Sequence, residues 1–255
     1  YPSVSFIVDE FDFSGLAAAG LIFDTKQLEV YRGPQATLYG TGALAGAVKL
    51  SSNDVGSDAP DYVEARIGNK ESYRIEGATG DDINTDWGYR VALVHNRSDG
   101  FVENTFLNRS DTAKIDETAL RFAVEGSVDE RTTLALTYRW YDIDNGYDAF
   151  SLDNDNKTLS DEPGFDEHQT HAVSARSTTN TAAGDFILIA THASHNIAYG
   201  YDEDWTFTGF HPWGYTSFDA YYRDVETQTG EMRFVSSDSA ALFDGMRSEE
   251  HTSEL

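Results

Sequence analysis

Carboxylates are the commonest reactive groups in this chain: 44 Asp and Glu stand against 18 Lys and Arg over 255 residues. Pairs of acids therefore occur by chance throughout, and none is framed by the apolar residues that would raise one carboxyl into the range of an acid catalyst. His168 and His171 are three residues apart, as are His192 and His195. On a strand that spacing puts the members of each pair on opposite faces, so neither pair makes a joint metal site. Asp153-Asn154-Asp155-Asn156 offers hard oxygen donors, but lacks the glycine and closing glutamate of the helix–loop–helix calcium motif and reads as a solvated loop. With no cysteine there is neither a thiol nucleophile nor a disulfide framework. The chain reads as a non-enzyme without a cofactor or an assigned metal site.

Recognition is the better use of these residues. Residues 143–167 set Asp144, Asp148, Asp153, Asp155, Asp161, Glu162, Asp166 and Glu167 against Lys157, so this stretch repels a bare anion unless a cation bridges it. Phe150 and Phe165 add apolar contacts. Further on, Tyr199, Tyr201, Trp205, Phe207, Phe210, His211, Trp213 and Tyr215 offer a stacking surface for a ring-bearing or carbohydrate ligand, with packing between loops the equal alternative. A formal charge of -26 and the lack of a basic stripe speak against nucleic acid as a partner.

The elements that must carry these residues are strands. Val63, Ala65 and Ile67 alternate with Glu64 and Arg66, and Leu134, Leu136, Tyr138 and Trp140 share one face while Thr133, Ala135, Thr137 and Arg139 share the other. Leu120, Phe122 and Val124 repeat the pattern against Arg121 and Glu125. Similar runs at about 61–69, 71–79, 86–97, 117–126, 133–142, 169–178, 185–198 and 223–236 give about eight strands. An apolar face toward lipid and a polar face toward a wet or plugged lumen fits this dyad pattern. If strand 61–69 runs outward from the periplasm, short turns near 80–85, 127–132 and 179–184 fall inside. Long connections near 98–116, 143–168 and 199–222 then fall outside. Trp87, Tyr89, Trp140, Tyr141, Tyr221 and Tyr222 fall near the membrane interfaces in that arrangement. No apolar run reaches the length of a membrane-spanning helix, which leaves a barrel untouched.

Residues 27–50 read differently. Leu28 and Val30 suit a short strand, and Arg32-Gly33-Pro34-Gln35 forces a corner, since glycine tolerates unusual dihedrals and proline fixes its own. Gly40, Gly42 and Gly46 then punctuate Ala43, Ala45 and Ala47 ahead of Val48 and Leu50, which implies close backbone approach. No phosphate loop is present, because no Gly-Lys-Ser/Thr ending follows.

This stretch resembles the end of the plug domain in TonB-dependent outer-membrane receptors. The matching elements are Glu29, Val30, Arg32 to Gln35, Leu38 to Gly40, and Gly42 to Leu50, with Ala36 where the family usually has glycine. The segment Phe6-Ile7-Val8-Asp9 also resembles a plug strand, with Glu10 at a position commonly held by glycine. The resemblance implies an all-β transmembrane barrel fragment preceded by the C-terminal part of an α/β plug, in a parent of 22 antiparallel strands. It divides the chain into plug (1–55), first barrel strands (56–240) and a tail (241–255) that loses strand alternation and is similar to non-native sequence at the ends of assembled gene fragments. It implies energy-coupled import of a scarce nutrient such as a ferric siderophore across a Gram-negative outer membrane. The partners implied are the TonB energy-coupling protein, outer-membrane lipid and a small-molecule ligand such as an iron chelate. Arg32, Gly33, Pro34, Gln35, Tyr39 and Gly40 would shape the plug turn and take part in gating, with Arg32 reaching plug or wall carboxylates. The rival reading is a soluble, secreted β-rich module that binds carbohydrate or protein.

Overall fold

A computed structural model of the chain describes residues 3–16, 22–39, 42–237 and, for the backbone, 246–254. Gly40, assigned to the plug turn from sequence, lies outside the described residues.

An N-terminal sheet contains β1 (Val4–Val8), β2 (Phe11–Asp12), β3 (Thr25–Arg32) and β4 (Gly46–Ser52), with one helical turn, α1 (Ala36–Tyr39), between the last two. Its order is β2-β1-β4-β3; β1 and β4 run parallel, and the other pairs are antiparallel. The rest of the chain builds a second, all-antiparallel sheet from β5 (Tyr62–Ile67), β6 (Tyr73–Asp82), β7 (Trp87–Ser98), β9 (Ile115–Ser127), β10 (Thr132–Gly146), β12 (Phe165–Thr181), β13 (Gly184–Asp202), β14 (Phe218–Ser236) and β15 (Met246–Glu254). Two short strands in the connections, β8 (Glu103–Asn104) and β11 (Lys157–Thr158), pair with each other in parallel. Eight of the nine strands in the large sheet coincide with the alternating runs. The ninth, β15, pairs antiparallel with β14, although its sequence shows no alternation. Backbone hydrogen bonds to a neighbouring edge do not depend on side-chain pattern, which is why alternation missed it.

Period-two alternation separates the two faces of the large sheet. Ala78, Ala92, Ala119, Ala172 and Ala193 point inward and are buried, and their small side chains leave room for Phe11, Phe13 and Phe23 of the N-terminal segment. This is the main apolar core of the molecule. Outward, Val63, Ile67, Leu93, Phe122, Leu136, Leu188 and Met232 stay exposed. The outward apolar belt does not follow one register. It includes Ile67 at the far end of β5, but Leu188 and Met232 near the opposite ends of β13 and β14, where Gln169, His171, Asn196, Asp224 and Glu226 occupy the outward positions farther along. Strands tilted by roughly 35–45° to a slab produce this diagonal, because constant depth then crosses successive registers. With 17, 19 and 19 residues, β12, β13 and β14 also exceed the roughly 9–11 needed to cross a bilayer.

Connections differ at the two ends. Residues 83–86, 128–131 and 182–183 turn tightly at one end; at the other, 99–114, 147–164 and 203–217 form long excursions, while 68–72 between β5 and β6 turns tightly. Tyr199 and Tyr201, expected in the last of these, instead lie on β13, because its pairing with β14 continues to Asp202 opposite Phe218.

Candidate functional site at the interface of the two sheets

The N-terminal sheet docks on the inward face of the large one through five alternating charges. Asp24 is buried just ahead of β3. Its carboxylate accepts from Arg90 Nη2 at 2.6 Å and Nε at 2.9 Å, from Arg121 Nη1 at 3.1 Å and from Asn53 Nδ2 at 2.9 Å. Asp9, in the turn after β1, accepts from Arg139 Nη2 at 2.5 Å, from the Ser52 amide at 2.8 Å and from the Ser52 hydroxyl at 2.9 Å. Arg121 Nε stands 3.9 Å from the same Asp9 oxygen. The order across β7, β9 and β10 is therefore Arg90, Asp24, Arg121, Asp9, Arg139, with both anions supplied by the N-terminal segment. Arg90 and Arg139 are fully shielded from solvent. A buried ion is tolerated only with such partners, since desolvation alone costs several kcal/mol per charge.

Both anions sit on left-handed backbone, with φ of 54° at Asp9 and 47° at Asp24. That region is sparsely used by residues other than glycine, and Asp is among the few that tolerate it. Burial works against the charged form of Asp9. The Arg139 and Arg121 guanidiniums and the Ser52 amide outweigh it and hold the carboxyl below its ordinary value of 3.8. Among the described residues, Nε of Arg121 and Nε of Arg139 are buried without an acceptor. Weaker links extend the seam: Arg176 reaches Glu10 at 3.3 Å, Arg74 donates to the Ile22 carbonyl at 2.7 Å, and the Asp24 amide donates to the Tyr62 hydroxyl at 3.1 Å.

Beside this chain, register brings together two histidines from different sequence pairs. His168 on β12 and His195 on β13 share the inward face, and the Thr170 hydroxyl lies 2.9 Å from His168 Nε2 and 2.8 Å from His195 Nδ1. Phe13 meets the rings of His195 and Tyr141 nearly at right angles. The members of each sequence pair do lie on opposite faces, as expected: His171 is outward, where its Nδ1 pairs with the Tyr138 hydroxyl at 2.8 Å. Among the described residues no group of three or more His, Cys, Asp or Glu side chains is arranged to hold a metal ion.

The Arg32–Gln35 corner takes the form its residues dictate. Gly33 has φ of 84° and its amide donates to the Ala45 carbonyl at 3.0 Å, while the Gln35 amide donates to Ala43 at 2.8 Å. Ala36 opens the helical turn α1 with ordinary negative φ, so a Cβ is accommodated where glycine was the family expectation. The Tyr31 and Tyr39 rings meet at 5.5 Å. Arg32 is exposed and forms no ion pair among the described residues, so the carboxylate contact expected of it is made instead by Arg90, Arg121 and Arg139. The sequence alternation marks Arg121 and Arg139 only as polar-face positions and does not single out Arg90, because nothing local to them marks an acid far away in sequence.

The aromatic residues separate into two groups. Phe150 stacks on Trp205 at 5.2 Å and touches Tyr147 and Tyr201, Tyr147 packs on Tyr199, and Phe106 stacks on Phe207 at 4.4 Å. These contacts, with Asn104 Nδ2 and the Thr158 hydroxyl both donating to Asp148 Oδ2 at 2.8 Å, tie the three long connections together. Among the described residues Trp213, 76% exposed, stacks on His211; Phe210 and Tyr215 are also exposed, with Phe210 meeting Phe207 at 5.6 Å and His211 at 5.1 Å edge-on.

No protein-family model matches the chain. Over 127 residues it is 28% identical to the pesticin receptors of Yersinia pestis and Yersinia enterocolitica, a stretch that is 48% of this chain and 19% of each receptor. The ferric yersiniabactin uptake receptor FyuA from Yersinia pestis superposes over 99% of this chain and 41% of its own, with a TM-score of 0.75 and 16% identity. The siderophore receptor PiuA from Acinetobacter baumannii covers 92% of this chain and 35% of its own, at a TM-score of 0.68 and 16% identity. The chain shares its fold with these uptake receptors. In that receptor frame the N-terminal sheet is plug and the large sheet is barrel wall, and the chain spans less than half the length of each of these relatives.

Proposed function

We propose that this chain supplies part of the plug and part of the barrel wall of an outer-membrane receptor that imports a scarce nutrient, such as a ferric siderophore, by energy-coupled transport. The carrying observation is the docking of a small mixed sheet on the inward face of an amphipathic antiparallel wall through Asp9 and Asp24. A plug held by a few buried ion pairs is closed at rest and can be withdrawn by work done on it. The plug is assigned to residues 1–55 and the wall to 56–240, with the tight turns on the periplasmic side and the long connections outside. The native location is a Gram-negative outer membrane, with TonB and outer-membrane lipid as partners. An iron chelate is the favoured ligand class, which agrees with the uptake named for FyuA.

Trp213 and Tyr215, the more exposed, with Phe210 and His211 beside them are the aromatic residues proposed to meet ligand, while Tyr199, Tyr201, Trp205 and Phe207 lie in the more packed part of the same cluster. Within the plug turn, Arg32, Gly33, Pro34, Gln35, Tyr39 and Gly40 are proposed to take part in gating. Uptake of radiolabelled ferric chelates by cells carrying the full-length receptor, with and without TonB, tests the reading. Import that depends on both the receptor and TonB is the expected result. A full-length protein recovered folded in the soluble fraction, or uptake indifferent to TonB, would overturn it.

A further inference from the structure

Three cations and two anions make up the plug–wall charge chain, and the imbalance has a chemical meaning. Arg90, Arg121 and Arg139 all belong to the wall, on the adjacent strands β7, β9 and β10, and all face inward. Asp9 and Asp24 both belong to the plug. Arg121 and Arg139 are direct cross-strand partners, and like charges in that position repel unless an anion sits between them. Nε of both guanidiniums is buried and lacks an acceptor among the described residues, so the docked carboxylates leave donor capacity unused. Arg90, by contrast, grips Asp24 through two of its nitrogens. Arginine forks match carboxylates in this way regardless of whether the carboxylate is on a side chain or a ligand.

We propose that Arg90, Arg121 and Arg139 form an anion-binding strip on the barrel wall, occupied by the plug's own Asp9 and Asp24 at rest and by a carboxylate-bearing ligand when the plug withdraws. The role in passage rests on the import function proposed above; the anion site itself does not. In this arrangement the plug carboxylates act as a resident competitor. Leaving the strip bare would deprive three arginines of their plug carboxylates, so an incoming polycarboxylate stabilises the withdrawn plug as well as finding a place to bind.

Citrate is the probe, titrated calorimetrically into the full-length receptor in detergent. The wild type should give no saturable heat, the Asp9→Asn/Asp24→Asn variant should bind, and adding Arg121→Gln should weaken that binding about tenfold or more. Saturable binding to wild type that the Asp substitutions leave unchanged would overturn the proposal. So would a folded double variant, shown by heat-modifiable migration, that binds no citrate. Where the double variant does not fold, the wild type decides through amide exchange of Val4–Val8 at matched ionic strength. Exchange faster in citrate than in chloride, with the difference lost in Arg121→Gln, supports the strip; equal rates refute it. A receptor that passes these tests but imports nothing would remove the import function and leave the anion site in place.

Discussion

Arg121 and Arg139 face each other across β9 and β10 as direct register partners, and the Asp9 carboxylate lies 2.5 Å from one and 3.9 Å from the other. The wall therefore carries a built-in repulsion that the Asp9 carboxylate of the plug relieves. Truncating Asp24 to Ala, which strands Arg90 and Arg121 without their anion, is expected to destabilise plug docking by about 3 kcal/mol. Arg176→Ala, which removes a partly exposed pair with Glu10, should cost under about 1 kcal/mol. Limited proteolysis of the plug in increasing denaturant measures both; equal costs would contradict a buried charge chain.

Docking should also depend on acid. Because the carboxyl of Asp9 is held below 3.8 in the folded state, its contribution is fully present above that value and is lost as pH falls through the lower folded value. Protection of the β1 amides, with exchange corrected for the pH dependence of the intrinsic rate, should hold from pH 7 down to 5 and fall only below about pH 4. Asp9→Asn should remove this contribution to the acid transition. An unchanged transition in that variant would place the responsible group elsewhere.

At the plug corner, Gly33 is needed for its backbone conformation and not for space, since a Cβ there would meet nothing within 4 Å. Gly33→Ala should cost about 1 kcal/mol, and Gly33→Asn less, because Asn visits the left-handed region more readily. Thermal melts of the two variants give the comparison. A larger loss for Asn than for Ala would show that side-chain volume is the limiting factor after all.

Phe150 and Trp213 separate packing from recognition. Phe150→Ala removes a stack on Trp205 and contacts with Tyr147 and Tyr201, and should destabilise the outer connections by about 2 kcal/mol. Trp213→Ala should leave the melting temperature within about a degree while reducing ligand affinity. Chelate binding that is insensitive to Trp213→Ala would withdraw the exposed aromatics from the ligand site.

Alternation and turn chemistry were enough to read most of the architecture. Leu134 through Tyr141 announce a strand with two unlike faces because side-chain direction on a strand is fixed by residue parity alone. The Gly33-Pro34 corner is equally local, and so is the contrast between short turns and long connections. None of this needs a distant partner. The charge chain does: Arg139 meets an acid 130 positions away and Arg121 one 97 away. Among 44 acidic residues, nothing local distinguishes Asp9 or Asp24 from the rest. Register likewise decided that His168 meets His195 and not His171, because the pairing of β12 with β13 sets which rings adjoin. The stacking of Phe150 on Trp205 arose in the same way. A strand's own sequence fixes which way its side chains point; only the assembled sheets determine what they find there.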